Sequence, residues 1–281
     1  EPDEVTFLNI LKACNNQSDL EHCKLVNIFC VERGHETDLY VGSTLVDVYA
    51  TSGSLQDAME VFRAMPERNI VSWNALVGGC VEKGLDEKAL ELLQQMQVEG
   101  VQPDEIAYVN IINACASLAD LEQGKRIHGS LMLMDTKVSN LFIGNALVDM
   151  YGKCGSLIEA LETFEKMSDF NCNPSLATFN AALEIACKAN LLKDAEKIYQ
   201  GILSANLRPD KISMNAFLFG LGRGGKLQEA RNYLKKCEEM LFFADKISYT
   251  SLISGLCKAG HMNEAHHALE DMEKAGIFPD I

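Results

Sequence analysis

The sequence predicts an all-α solenoid of about eight helix-turn-helix repeats, and three observations carry that expectation. The pattern of residues 70–104, IVSWNALVGGCVEKGLDEKALELLQQMQVEGVQPD, returns at 176–210, 211–245 and 246–280 with a period of 35. With altered endings it also returns at 4–38, 39–69, 105–140 and 141–175. Each repeat divides into two amphipathic runs, typically with a Gly between them and Pro-Asp at the end. Small residues keep the register at the twentieth place of every repeat, at Cys23, Ala58, Ala89, Gly124, Ala160, Ala195, Ala230 and Ala265. Cys30, Met65, Met96, Leu131, Met167, Ile202, Cys237 and Met272 follow seven places later, on the same helical face. Neither helix of a repeat buries that face alone, so pairs must stack on neighbouring pairs into a solenoid that curves to the right or the left.

In chain order, residues 4–38 end without Pro-Asp and contain LKAC, and 39–69 form a short repeat of 31 ending Pro66-Glu67-Arg68-Asn69. Residues 70–104 are the reference repeat, and 105–140 again lack Pro-Asp and carry INAC. Residues 141–175 end at Ser175, and the last three repeats keep the period of 35. The limits are most explicit in 246–280. Ser248 is placed to cap a first helix through Lys258, and Gly260 breaks it; Asn263 to Lys274 then carries Ala265, Leu269 and Met272 at helical spacing before Gly276 and Pro279. Glu1-Pro2-Asp3 reads as the tail of a preceding repeat, so the chain reads as a segment of a longer one. No signal or transit peptide opens it.

The 281 residues show no Ser/Gly-rich linker or charge block, which favours one continuous array. With 25 Lys and Arg against 40 Asp and Glu the net charge is −15, which by itself argues against a nucleic-acid partner. No apolar run approaches the roughly 20 residues of a membrane span, so no membrane partner is expected. Of ten cysteines, Cys14, Cys80 and Cys115 stand at the eleventh place and Cys187 and Cys257 at the twelfth, without a Cys-x-x-Cys pair. They read as small buried packing residues suited to a reducing compartment.

Catalysis finds no constellation. The six histidines share no repeat position, and His266-His267 beside Glu264 reads as a solvated face rather than a metal site. Gly222-Arg223-Gly224-Gly225 reads as an inter-helix turn, not a phosphate loop. No enzyme activity, cofactor or metal is expected.

The chemistry-bearing signal is periodic. At the fifth place, inside the first helix, stand Ser43, Asn74, Asn145, Asn180, Asn215 and Thr250, types that favour caps and turns over helix interiors. Leu8 and Val109 are the exceptions. The last place holds Asp38, Asn69, Asp104, Asn140, Ser175, Asp210, Asp245 and Asp280, which would also serve as helix caps. At about 100° per residue the second, fifth, ninth and thirteenth places form one stripe. Second places hold Val5, Tyr40, Val71, Ile106, Phe142, Ala177, Ile212 and Ile247, either exposed for a flat ligand or part of the inter-helix core. Thirteenth places hold Asn16, Thr51, Glu82, Ser117, Lys153, Lys188, Arg223 and Lys258.

With VSWNALV, ALELL, QQM and VQPD in residues 70–104, and KISYTSLISGLCKAG at Lys246–Gly260, the chain resembles pentatricopeptide repeat proteins along essentially its whole length. Its long, short and standard repeats resemble the plant subgroup that mixes three repeat lengths. The resemblance implies a right-handed superhelix that binds single-stranded RNA, one nucleotide per repeat, in a mitochondrion or chloroplast. It implies RNA-processing or editing factors as further partners, although no deaminase motif is present here. Fifth and last residues would read bases in the pairs Ser43/Asn69 for A, Asn74/Asp104 for U, Asn145/Ser175 for C, Asn180/Asp210 and Asn215/Asp245 for U, and Thr250/Asp280 for G. A carboxylate accepts the ring N–H of uracil or guanine, whereas an amide or hydroxyl donates to the bare ring nitrogen of adenine or cytosine. Val71, Ile106, Phe142, Ile212 and Ile247 would sandwich bases. Lys153, Lys188, Arg223 and Lys258 would meet phosphates and keep the groove locally positive. The rival from another class is a helical-repeat scaffold for protein partners.

Overall fold

The computed structural model describes residues 2–17, 20–35, 38–133, 141–169, 173–239 and 243–279. The described residues form sixteen α-helices and no strand. They fall into two compact halves, Glu1–Met134 and Asp135–Ile281. The N-terminal half holds α1 (Glu4–Gln17), α2 (Leu20–Glu32), α3 (Leu39–Thr51), α4 (Leu55–Ala64), α5 (Ile70–Glu82), α6 (Asp86–Val98), α7 (Glu105–Leu118) and α8 (Leu121–Leu133). The C-terminal half holds α9 (Leu141–Lys153), α10 (Leu157–Asp169), α11 (Leu176–Lys188), α12 (Leu192–Ser204), α13 (Lys211–Arg223), α14 (Leu227–Glu239), α15 (Lys246–Lys258) and α16 (Met262–Lys274). Within each half, every first helix packs on its own second helix and on the first helix of the next repeat.

The first helices start at capped residues. Asp38, Asn69, Asp104, Ser175, Asp210 and Asp245 each have an N-cap side chain that accepts a backbone N–H one turn on, satisfying a donor the helix itself leaves open. Ser248 is therefore not the cap. It occupies the third helical position, and its hydroxyl returns the bond to the Asp245 backbone N–H, closing a capping box. The helix thus begins three residues earlier than a Ser248 cap implied. First helices end in a tight turn such as that after α5, where Leu85 N–H bonds the Cys80 carbonyl and Gly84 takes φ +69°. Asn190 holds the corresponding left-handed position at φ +60°.

The small residues at the twentieth place are all buried, as are the residues seven places later. Met65 lies against Gly42, and Met167 against Gly144, so a glycine one turn into α3 and α9 makes room for a methionine of the paired helix. Helices α13 and α15 approach closer still: a Cβ at Gly222 would run into the Leu252 carbonyl oxygen, and one at Gly255 into that of Phe219. Of the cysteines read as core, Cys14, Cys80, Cys115 and Cys187 are buried, and burial pushes the Cys80 thiol up to about 11 and that of Cys187 to about 12. Cys257 departs from that expectation and is exposed. It stands on the last turn of α15, outside the packed face.

Candidate nucleic-acid interface

Each first helix presents its second-place residue to solvent. Val71, Ile106, Phe142, Ile212 and Ile247 are 53% to 66% exposed, and Val5 and Tyr40 are exposed as well. They are not inter-helix core, which removes one of the two readings open from sequence. A row of exposed apolar side chains at one position per repeat marks a surface built for contact.

Beside that row, fifth and last residues meet. Asn74 Nδ2 donates to Oδ1 and Oδ2 of Asp104 at 3.0 Å each, and Asn180 Nδ2 to those of Asp210 at 3.1 and 3.3 Å. Ser43 Oγ donates to the Leu39 carbonyl at 2.6 Å and lies 3.0 Å from Asn69 Oδ1, which accepts the Ser72 N–H at 3.0 Å. Asn145 and Ser175 are joined through a third residue: Thr178 Oγ1 donates to Asn145 Oδ1 at 2.7 Å and lies 2.9 Å from Ser175 Oγ. In these four pairs the last residue caps the following helix, and in all but Asn145/Ser175 it also touches the fifth residue of the preceding one directly.

Two pairs differ. Asp245 is bound by Lys211 Nζ at 2.7 Å rather than by Asn215, whose Oδ1 is buried without a partner. Lys211 is the chief cause holding the Asp245 carboxyl below its usual range. At Asp210 burial pushes the carboxyl up, but bonds from Ser213, Asn180 and the Ile212 amide together outweigh it and hold the group low. Thr250 is exposed and its hydroxyl donates back to the Lys246 carbonyl, while Asp280 lies outside the described residues.

A residue class that the sequence reading passed over completes these brackets. Ser72, Thr178, Ser213 and Ser248 stand at the third helical position, and Ser213 Oγ donates to Asn180 Oδ1 at 2.5 Å. In α7 that position is Ala107, and Asn74 Oδ1 is buried without a partner; Asn215 Oδ1 is as well, although α15 carries Ser248. The signal was in the sequence as a hydroxyl three residues after the boundaries Asn69, Ser175, Asp210 and Asp245.

The basic thirteenth places are less free than expected. Lys153 pairs with Asp149 at 2.8 Å and Lys188 with Glu184 at 2.7 Å, both i,i+4 partners at the ninth place of the same stripe. Arg223 has no ion pair among the described residues, and Lys258 lies 5.2 Å over the Phe219 ring. A cleft of about 780 Å³ opens in the C-terminal half, lined by Ile212, Ile247, Asn215, Thr250, Lys188 and Lys258. Two aliphatic walls, the polar side chains of Asn215 and Thr250, three lysines (Lys246 the third) and Glu184 therefore border one space large enough for a nucleotide-sized group. No group of His, Cys, Asp and Glu among the described residues is arranged to hold a metal.

Repeated helix pairs with a polar bracket in a row of exposed apolar residues define a helical-repeat protein with a modular surface. Models of the PPR repeat family match residues 68–117 and 244–281, and those of the PPR repeat match 43–70, 145–172 and 212–240, together more than half of the chain. The chain belongs to the pentatricopeptide repeat family. It is 36% identical over 169 residues to a pentatricopeptide repeat-containing protein of Arabidopsis thaliana named as chloroplastic, covering 60% of this chain and 27% of that one. It is 38% identical over 169 residues to another from the same plant, named as mitochondrial, covering 59% and 26%. The matches thus span about a quarter of those relatives' length. The crystal structure of the pentatricopeptide repeat protein PPR10 in complex with an 18-nucleotide psaJ RNA element matches with a TM-score of 0.81 at 24% identity, covering 99% of this chain and 41% of that one. That likeness shows the fold, a pentatricopeptide α-solenoid.

Proposed function

We propose that the chain binds single-stranded RNA in a sequence-specific way, one nucleotide per repeat, with fifth and last residues reading the base edge. The observation that carries this is the bracket of Asn74 with Asp104 and of Asn180 with Asp210, each beside exposed aliphatic second-place residues. A protein-binding scaffold has no use for the same Asn–Asp pair, held in the same geometry, in two separate repeats. The PPR10 complex with RNA supports the reading, since that protein shares the fold. In this reading, bases lie between the second-place residues Val71, Ile106, Phe142, Ile212 and Ile247, and Arg223 and Lys258 supply the strongest phosphate contacts, with Lys153 and Lys188 contributing less. The preferred site is 5′-(N)AU(N)CUUG-3′. The protein acts as the specificity element for organellar RNA processing, stabilisation or editing, and relatives named as chloroplastic and mitochondrial support that setting.

Selection of bound sequences from a random RNA pool by this chain tests the proposal. Enrichment of the AU and CUU blocks at the proposed spacing is expected. Enrichment of no sequence, or equal retention of RNA by a chain carrying Asn74→Ala, Asn180→Ala and Asn215→Ala, overturns it.

A further inference from the structure

The cleft between α10, α11 and α12 differs from the equivalent place in other repeats in one telling way. Its floor is Phe164 and Phe179, edge to face with ring centroids 5.4 Å apart. At the same repeat positions between α4, α5 and α6 stand Phe62 and Trp73, also edge to face at 4.7 Å. There the chain fills the cleft with its own arginine. The Arg68 guanidinium lies 4.8 Å over the Phe62 ring, donates to the Phe62 carbonyl at 3.0 Å and binds both oxygens of Glu99. The space left is about 80 Å³. A second solution appears between α14 and α16, where Arg231 Nε bonds Asp271 at 2.6 Å.

Neither solution is available beside Phe164. The residue before the cap of α11 is Pro174, where Arg68 stands before the cap of α5; the places of Arg231 and Asp271 are taken by Leu161 and Gly201. Gly201 also keeps the floor clear, because a Cβ there would lie 2.9 Å from the Phe179 ring. An open cleft of about 490 Å³ results. Its rim has changed sign as well: Glu165 and Asp194 replace Arg63 and Lys88, and Glu162 adds a third carboxylate against the single cation Lys197, itself paired with Asp194 at 3.4 Å. An aromatic floor under an acidic rim fits a guanidinium, which stacks on rings and binds carboxylates in a planar fork. The same rim repels phosphate.

We propose that this cleft docks an arginine side chain presented by a partner protein, supplying from outside what Arg68 supplies from within. The site uses the fourth place of α11 and faces of α10 and α12, and so is separate from the stripe proposed to read RNA.

The test is a titration of the methyl-labelled chain with the peptide acetyl-Gly-Arg-Gly-amide, followed by NMR at the Ile158 and Ile198 methyls. Saturable shifts are expected, with the citrulline peptide weaker by about tenfold, since citrulline keeps the shape and loses the charge. Pro174→Arg should place an internal arginine over Phe164 and abolish the response. Glu165→Gln, an exposed change that leaves the fold alone, should weaken it severalfold. Equal binding of the citrulline peptide, undiminished binding by both variants, or displacement of the peptide by single-stranded RNA overturns the proposal.

Discussion

Asn180 donates through its side-chain amide to both carboxylate oxygens of Asp210, thirty residues further along the chain, while its own oxygen accepts the Ser213 hydroxyl. The two residues proposed to face one base are thus fixed before any ligand arrives. Fixing them in advance removes the rotamer entropy that an encounter would otherwise cost. It also couples them, so a change at the fifth place is felt at the last.

Base choice at a single position tests that coupling. Asn74→Thr with Asp104 retained should move the preference of that repeat from U toward G, since the shorter side chain leaves room for a purine. The wrong base should cost on the order of 1 kcal/mol, by analogy with the roughly 1–3 kcal/mol of DNA readout. Binding of four RNAs differing only at that base measures it; a preference that stays on U, or moves at a neighbouring position, shows that the pairs or their register are wrong.

Ala107 predicts a stabilising change. Asn74 Oδ1 is buried without a partner, and α7 carries Ala107 where α13 carries Ser213. Ala107→Ser should supply the missing hydroxyl and raise stability by about 1 kcal/mol. Urea denaturation of the two chains reads the difference. A lower midpoint in the variant would mean that the hydroxyl finds no acceptor and is itself buried unpaired.

Most of the framework was legible from residues that repeat. Ala89 and Met96 fixed the packed face, and Asp104 and Asp210 marked the boundaries, because each is imposed by local geometry in every copy. The third-position hydroxyls were missed for a physical reason. Ser248 is a good N-cap type by itself and stands three residues after Asp245, which is one too; the path of the backbone decides between them, with Asp245 as the cap and Ser248 answering it. The pairing of Lys153 with Asp149 was readable as an i,i+4 spacing. That of Asp245 with Lys211 was not, since it spans 34 residues and depends on how two helices stack.

Salt dependence separates the cations. Arg223→Gln and Lys258→Gln should each lower the slope of log affinity against log salt by about 0.7, the loss of one single-strand phosphate contact. Lys153→Gln and Lys188→Gln should lower it less, because Asp149 and Glu184 already neutralise those ammonium groups. Four equal slopes would show that the ion pairs open on binding, and unchanged slopes at Arg223 and Lys258 that they touch no phosphate.

Acid should weaken the C-terminal half through Asp210. Its carboxyl is held below the ordinary value of 3.8 in the folded chain, so the stabilisation is complete above that value and is lost as the pH falls through the lower folded one. Asn caps helices about as well as Asp, so Asp210→Asn keeps the cap and removes the titration. The urea midpoint of the variant should fall less steeply than that of the parent below about pH 4. Parallel curves would assign the acid sensitivity to other carboxylates.

The boundary residue of a repeat grips backbone amides of the helix that follows, and every helix offers the same amides whatever its side chains. The cap is consequently indifferent to which repeat comes next, whereas the support of the fifth residue depends on the third-position side chain that repeat brings. A gene that duplicates, deletes or exchanges whole repeats at these joints carries each fifth-and-last pair along intact and keeps the capping connection. The order of repeats in such an array is therefore free to drift, while the cap that links them stays fixed.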